Sequence, residues 1–576
     1  MEASCKAEIS TEETPSLKHS GMAQLPESTN CLACSEDGRY LSLGHSRGLS
    51  VWRVSSLMCM ANWLQRRLEI TFIQMTTMAE MVYLLGTVDD MGVARVFAYH
   101  CDSIHLLSVI NIMEDINRRS ICLTFELSER GHYGAASFIC NGAVWLEVFH
   151  FPTDAWLKEL KTAVSHHPNS PRDLDVTWSL LTVEAKIKPP KIPAALEGQL
   201  EVLQTADFLT HCLALDVDID RHQWNECFNK DSEKTMETIV KSRCCTHHFL
   251  LPCSKFPGES KVLSQPAELP VAVCVWWKGS HNLLHYLLQK TTKNKSNVEP
   301  IPDMLWPNAK EILCSAVSRC TRYIALGLDD GLVCVWDRQS GSPLSVVLVT
   351  ATDSALFRIH FVDYWPVSTE NCQTFASAVH VLVVCKSGTI HTVTIRRGTE
   401  SYTVLVNESP KDSRDLPSMT APVSFLQNLF LVVQRNGKMI LKDVINDKTV
   451  CFLIPPKTLL ISTPCKPVYA LDTEQQTLFI RGDSDPDCSA DSKKDRQSQL
   501  LIYDFRESEI IRQYIGLPHS PQQKTSFATL AETCNLYLQQ RGLSVDERNK
   551  AIMETWMKLQ EYAVTAQQNL TRAEVN

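Results

Sequence analysis

The stretch from Leu313 to Leu344, LCSAVSRCTRYIALGLDDGLVCVWDRQSGSPL, constrains this chain more than any other. Two short apolar runs, Tyr323 to Leu328 and Leu332 to Trp336, flank Asp329-Asp330-Gly331. Asp-Gly between such runs predicts a β-hairpin, because glycine supplies the positive φ the turn needs without steric cost. Asp337 closes the second run, and turn residues follow it up to Ser342. A sheet built on this hairpin has two apolar faces and cannot bury both alone, so further copies are required.

Those copies exist. Ala33 to Trp52 runs parallel to the anchor: Tyr40 answers Tyr323, Gly44 answers Gly327, Gly48 answers Gly331 and Trp52 answers Trp336. It departs at Arg47, where the anchor has Asp330, and at Arg53, where it has Asp337. Weaker hairpins turn at Asp89 to Gly92, Asn141-Gly142, Lys278 to Ser280, Lys386 to Gly388 and Arg435 to Gly437. Another starts at Leu478 and resumes at Leu500 to Phe505, and Thr177 to Lys188 is a poorer strand candidate. Two propellers would need about fourteen such hairpins at ~40–45 residues each, and about eight are visible. The expectation is an all-β chain folded as one β-propeller, of seven blades, with eight as the alternative. A Trp-Asp ending the third strand of a four-stranded blade marks the WD-repeat type. In such a blade Asp330, Gly331, Trp336 and Asp337, like Gly48 and Trp52 in the first copy, have structural roles: the turn aspartate joins a hydrogen-bond network and the Trp packs between blades.

Composition shifts set the expected boundaries. Residues 1–29 read as a disordered tail, with few aromatics and no periodicity. The propeller occupies 30–520, with insertions near 152–266, 290–302 and 482–499. A helical tail follows over 524–572. There Thr525 to Arg541 stops at Gly542, and Ser544-Val-Asp-Glu547 is a capping box opening a second helix. Ile552, Trp556, Leu559, Ala563, Ala566 and Leu570 form its apolar seam. The seam is too short for a free-standing coiled coil, so Ile552, Trp556 and Leu559 are expected to bind a partner rather than a second copy.

Hydrophobic content of 44% and charged content of 21% fit a globular protein. A net charge of −9 supplies no basic face for nucleic acid. The 22 cysteines follow a polar Met1 to Asn30 without an apolar signal core. Reduced thiols in a cytoplasmic protein are therefore expected. Apolar runs such as Val379 to Cys385 are strand-length, so membrane insertion is not expected. The sequons at Asn294, Asn407 and Asn569 then carry no weight.

Four constellations could carry chemistry. Cys244-Cys245-Thr-His247-His248, with Cys227 and Cys253, has zinc-ligand types but lacks zinc-ligand spacing. Cys31-Leu-Ala-Cys34 has redox spacing, but on a strand its thiols would point to opposite faces. Gly44-His-Ser46-Arg-Gly48 matches the nucleophile-elbow pattern, yet a strand follows where a helix is needed. Trp276-Trp277 is either an exposed partner site or, preferably, a pair in the core between blades. The phosphate-loop, dinucleotide and zinc-hydrolase motifs do not occur. The expectation is no enzyme, no cofactor and no metal.

The strong repeat, its degenerate copies, the long central insertion and the helical tail together resemble the WD-repeat-containing protein 93 family. That resemblance implies a non-enzymatic building block of motile-cilium axonemes, in the central-pair apparatus. It carries over no catalytic residue. The implied partners are other proteins of a large complex, and no homo-oligomer is expected. The rival readings are an accessory subunit of an NAD(P)H-linked electron-transfer complex, motivated by the thiols alone, and a substrate-receptor adaptor of a modifying enzyme.

Overall fold

The computed structural model describes residues 15–111, 120–166, 177–190, 245–252, 269–288, 300–338, 341–349, 355–362, 379–395, 401–461, 467–484 and 498–515, with isolated positions from 556 to 564. Its strands form eight sheets, six of four strands and two of five. In chain order the blades span 31–64, 70–109, 121–187, 245–307, 312–348, 356–407, 417–454 and 459–504. Within a blade consecutive strands pair antiparallel, mostly in sequence order. The first strands of neighbouring blades pack on one another around the ring centre. Every hairpin read from the sequence lies in a different blade, which corrects the expected seven to eight.

The cores explain the architecture. The buried apolar residues fall into eight clusters, each lying between two neighbouring blades. Alternation along a strand sends successive side chains into different clusters. In blade 4, Trp276 joins the core shared with blade 5 and Trp277 the core shared with blade 3. Glycines mark where blades approach closely. Gly327 faces Cys314 of its own blade, 2.5 Å from where a Cβ would sit, and Leu356 of the next. Gly44 faces Cys31 and Ile70 in the same way.

The ring closes through its N-terminal segment. Gly21–Gln24 is the outer strand of blade 8, antiparallel to Ser498–Asp504, with Met22 opposite Leu501. Before it, Ser16–Lys18 adds in parallel to the outer edge of blade 7, and Leu17 is buried between blades 7 and 8. Leu25 enters the core between blades 8 and 1. The disordered tail expected over 1–29 is therefore corrected from residue 15 onward. The segment makes short strands whose partners lie more than four hundred residues away, as in Ser20 Oγ donating to the Ile502 carbonyl at 3.1 Å.

Two insertion boundaries also change. Within 152–266 the chain forms a helix, Thr153–His166, the outer strand of blade 3, Thr182–Ile187, and the first strand of blade 4, Cys245–Leu250. The helix seals the core between blades 2 and 3 with Trp156 and Leu160. At 482–499 the ends are strand, with Gly482 opposite Gln499 and Asp483 opposite Ser498. Of 290–302 only 300–302 is described, and of 524–572 only four positions, which are helical.

Two outcomes follow from this packing. Trp336→Ala should destabilise the fold by roughly 3–5 kcal/mol in denaturant titrations, as truncation of a large core aromatic does. Removing residues 1–25 should cost roughly 4 kcal/mol through loss of the Leu17 and Leu25 contacts alone. A synthetic peptide of those residues, added in trans, should recover part of the lost melting temperature.

Candidate functional site

The residues singled out by the repeat pattern serve the walls between blades. Asp330 and Gly331 both take positive φ, 60° and 69°, which forms the tight turn. Asp330 Oδ2 lies 2.7 Å from Lys310 Nζ at the approach to the first strand of the same blade. Trp336, 1% exposed, stacks on Trp306 of blade 4 at 4.8 Å and donates its indole N–H to Asn308 Oδ1 at 3.0 Å. Asp337, equally buried, accepts from Arg322 Nε at 3.1 Å. In the first blade Gly48 has φ 128° and packs against the Trp63 carbonyl, while Trp52 is half-buried and bonds Ser50. Arg53, where the anchor has Asp337, is exposed. The sequence reading missed two aspartates in the position of Asp337. Asp443 accepts from the Ile445 and Asn446 backbones, and Asp504 from Arg506. Their signal was an aspartate ending the third strand without the preceding tryptophan.

The other constellations resolve into the same packing. Cys31 faces the core toward blade 2 and Cys34 the core toward blade 8, so the pair does not converge. Ser46 sits in a two-residue turn between Tyr40–His45 and Gly48–Arg53, and its hydroxyl donates to the Glu27 carbonyl. Trp276 and Trp277 are buried, 3% and 2% exposed. On strand Cys245–Leu250, His247 and His248 point to opposite sides. His247 Nε2 meets Glu126 of blade 3 at 3.2 Å, and His248 Nε2 meets Ser315 of blade 5 at 2.8 Å. Among the described residues no group of three metal-ligating side chains converges. Cys227, Cys244 and Cys253 lie outside the described residues, as do Ile552 and Leu559; Trp556 is helical and half-buried. Burial pushes the thiols of Cys274, Cys314 and Cys451 up to about 12, which withholds the thiolate that redox chemistry needs.

Among the described residues, a cavity of about 230 Å³ lies toward the ring centre, where first strands turn back into second strands. Blade 1 contributes Glu36, blade 2 Gln74 to Thr76, blade 3 Glu126 to Glu129, blade 4 Phe249 and Leu251, and blade 5 Thr321. Its rim is rigidly tied. Gln74 donates to the Leu127 carbonyl at 3.1 Å and accepts from its N–H at 2.8 Å. Thr76 donates to Glu36 at 2.9 Å and accepts from the Arg130 N–H at 3.2 Å. Burial raises the Glu126 pKa, but the hydrogen bond and charge of His247 outweigh it and hold the carboxyl below its usual range. The side chain nevertheless keeps 41% of its surface open, since it faces the cavity rather than a core.

The family model of WD repeat-containing protein 93 matches residues 29–333, more than half of the chain. The chain belongs to this family. Among solved structures, it is similar to Sqt1 of Saccharomyces cerevisiae, with 9% identity, 85% of this chain and 99% of that one covered, and a TM-score of 0.45. The β-propeller domain of Myceliophteria thermophila Cps50 (Swd1) matches with 9% identity, 84% and 98% coverage, and a TM-score of 0.38. Raptor of Chaetomium thermophilum matches with 10% identity over 85% of this chain and 29% of that one, at a TM-score of 0.36. The propeller assignment stands on the strand pairing itself. Among the described residues no helix is long and apolar enough to cross a membrane.

The histidines of blade 4 make stability pH-dependent. Burial pushes His285, 1% exposed against Trp306, down to about 3, and His248 down to about 4. Both are depressed, so the unfolded chain binds more protons below an ordinary histidine pKa and stability falls as pH drops through that region. The loss through His285 alone should reach roughly 2 kcal/mol between about pH 7 and about pH 5. Melting curves should show it, and His285→Leu should flatten the acid limb.

Proposed function

We propose that the chain is a non-catalytic scaffold, a propeller that holds several proteins of one assembly, in the central-pair apparatus of a ciliary axoneme. One observation carries the scaffold reading: among the described residues, the side chains of the candidate chemical motifs serve turns and the walls between blades, while the exposed apolar groups are suited to binding. Ser46 lies in a hairpin turn, His247 and His248 brace blade 4 against its neighbours, and the buried thiols are held protonated. The outer edges, in contrast, expose apolar side chains, with Met304 and Leu305 of the blade 4 outer strand at 46% and 49% and Ile301 just before it at 73%. On blade 6 Tyr402, Val404 and Leu405 are exposed to a similar degree. Grouped exposed apolar residues on a rigid frame suit protein partners. Family membership supports this coarse reading, and the axonemal placement extends it by resemblance.

The C-terminal seam of Ile552, Trp556 and Leu559 is proposed as a partner-binding helix, with Trp556 as its anchor. The test uses tagged protein in motile ciliated cells. The full chain should remain with detergent-extracted axonemes and crosslink to central-pair proteins. A chain ending at Gln522 should keep its melting transition and leave the axonemal fraction. Full-length protein found wholly in the detergent-soluble fraction would sink the axonemal reading; a truncated chain that still incorporates would sink the helix proposal.

A further inference from the structure

We propose that the outer edge of blade 6 receives an extended segment of a protein partner, added as a fifth strand. The inference deepens the scaffold reading and rests on it.

The neighbouring blade shows what such an edge takes. On blade 7 the outer strand, Lys448–Ile454, carries Ser16–Lys18 in parallel, and the Phe452 N–H donates to the Pro15 carbonyl at 3.0 Å. Blade 6 has the same frame. Its turn Lys386-Ser387-Gly388 stands where blade 7 has Arg435-Asn436-Gly437, and in each the glycine N–H closes the turn, on the Cys385 or the Gln434 carbonyl. Cross-strand pairing from these turns puts Val404 in the place of Cys451 and Leu405 in the place of Phe452. The Leu405 N–H therefore points outward as that of Phe452 does. Beside Ser16–Lys18, Cys451 is 1% exposed and Phe452 half-buried, whereas Val404 and Leu405 are 45% and 47% exposed. The same two places are covered on one blade and bare on the next.

Composition points the same way. Sheets guard a free edge with charge, proline or short length, because its unpaired N–H and C=O groups invite another chain. The outer strand of blade 3 has Glu184 and Lys186, that of blade 4 is short and ends at Pro307, and that of blade 5 has Pro343. Tyr402–Asn407 reads YTVLVN, β-branched and apolar, with neither charge nor proline. Among the described residues it ends its sheet. Lys442 of blade 7 donates to the Val406 carbonyl at 2.9 Å, so the open stretch is Tyr402 to Leu405, enough for a strand as short as Ser16–Lys18. The chain's own segments Ser16–Lys18 and Gly21–Gln24 are already committed to blades 7 and 8. A helix would leave the outward backbone groups unpaired. An extended segment bonds them and can lay an apolar side chain beside Val404, as Leu17 shares a core with Cys451.

The test selects peptides from a random dodecapeptide library on the immobilised full-length protein. Bound peptides should slow amide hydrogen exchange over Tyr402 to Leu405, the mark of a strand added to the edge. Leu405→Pro, which removes the outward N–H, should weaken their binding about tenfold or more. Val404→Lys, which puts a charge on an exposed edge position, should weaken it to a similar degree, and it keeps the test decisive if the proline variant melts early. Met304→Lys, on the exposed edge of blade 4, should leave affinity unchanged. A library that yields no such peptide, or peptides that bind both blade 6 variants as well as the parent, would overturn the proposal. A dimer of the free protein that Val404→Lys dissolves would assign the edge to a second copy and overturn it too. The axonemal test is independent of this one, so either can fail alone.

Discussion

The structure depends on burying both faces of every sheet. A blade here is apolar on each side: Leu326 and Trp336 face one neighbour, Val333 and Val335 the other. At about 25 cal/mol per Å² of apolar surface, leaving either face in water would remove much of what opposes chain entropy. A flat stack of such sheets would end in two exposed faces. A ring has none, and the eight cores are the eight contacts between neighbouring blades.

That constraint makes closure the critical contact. The first and last blades must meet, and the segment ahead of blade 1 supplies the latch. Gly21–Gln24 completes blade 8 while Cys31–Cys34 starts blade 1, so one short run of backbone ties the two together. Arg481 Nη1 donates to the Thr29 carbonyl at 2.5 Å across the same join. Neighbouring first strands are also drawn close enough that Gly44 and Gly327 leave no room for a side chain.

The same economy governs polar residues. Buried carboxylates such as Asp89, Asp337 and Asp443 are met by an arginine or by turn N–H groups, because an unpaired one would be costly. Asp89 pairs with Arg95 at 2.6 Å in a wall where both are largely enclosed. Two of the glutamates lining the cavity are met as well: Glu126 pairs with His247 at 3.2 Å and Glu36 accepts from Thr76 at 2.9 Å, each across a blade wall.

Local chemistry made much of this legible in the chain. Turn residues between apolar runs, such as Asp330-Gly331, Asn141-Gly142, Ser387-Gly388 and Asn436-Gly437, located hairpins, and Trp336 was read as packing between blades. Strand alternation alone places Cys31 and Cys34 on opposite faces. Tertiary structure decided the rest. Nothing within the four residues of Gly21–Gln24, two of them half-exposed or more, marks a strand, because its partner is Ile502 and its neighbours. Tertiary pairing also chose eight blades over seven, made the strand candidate around Thr182–Ile187 the outer strand of blade 3, and added Cys245–Leu250 to blade 4 within a stretch that reads as insertion. The cavity was out of reach for a related reason: its walls come from five blades, so its lining residues meet only when those blades pack side by side. Turn and strand preferences act over a few residues, whereas a site at the centre of a ring is set by pairings hundreds of residues apart.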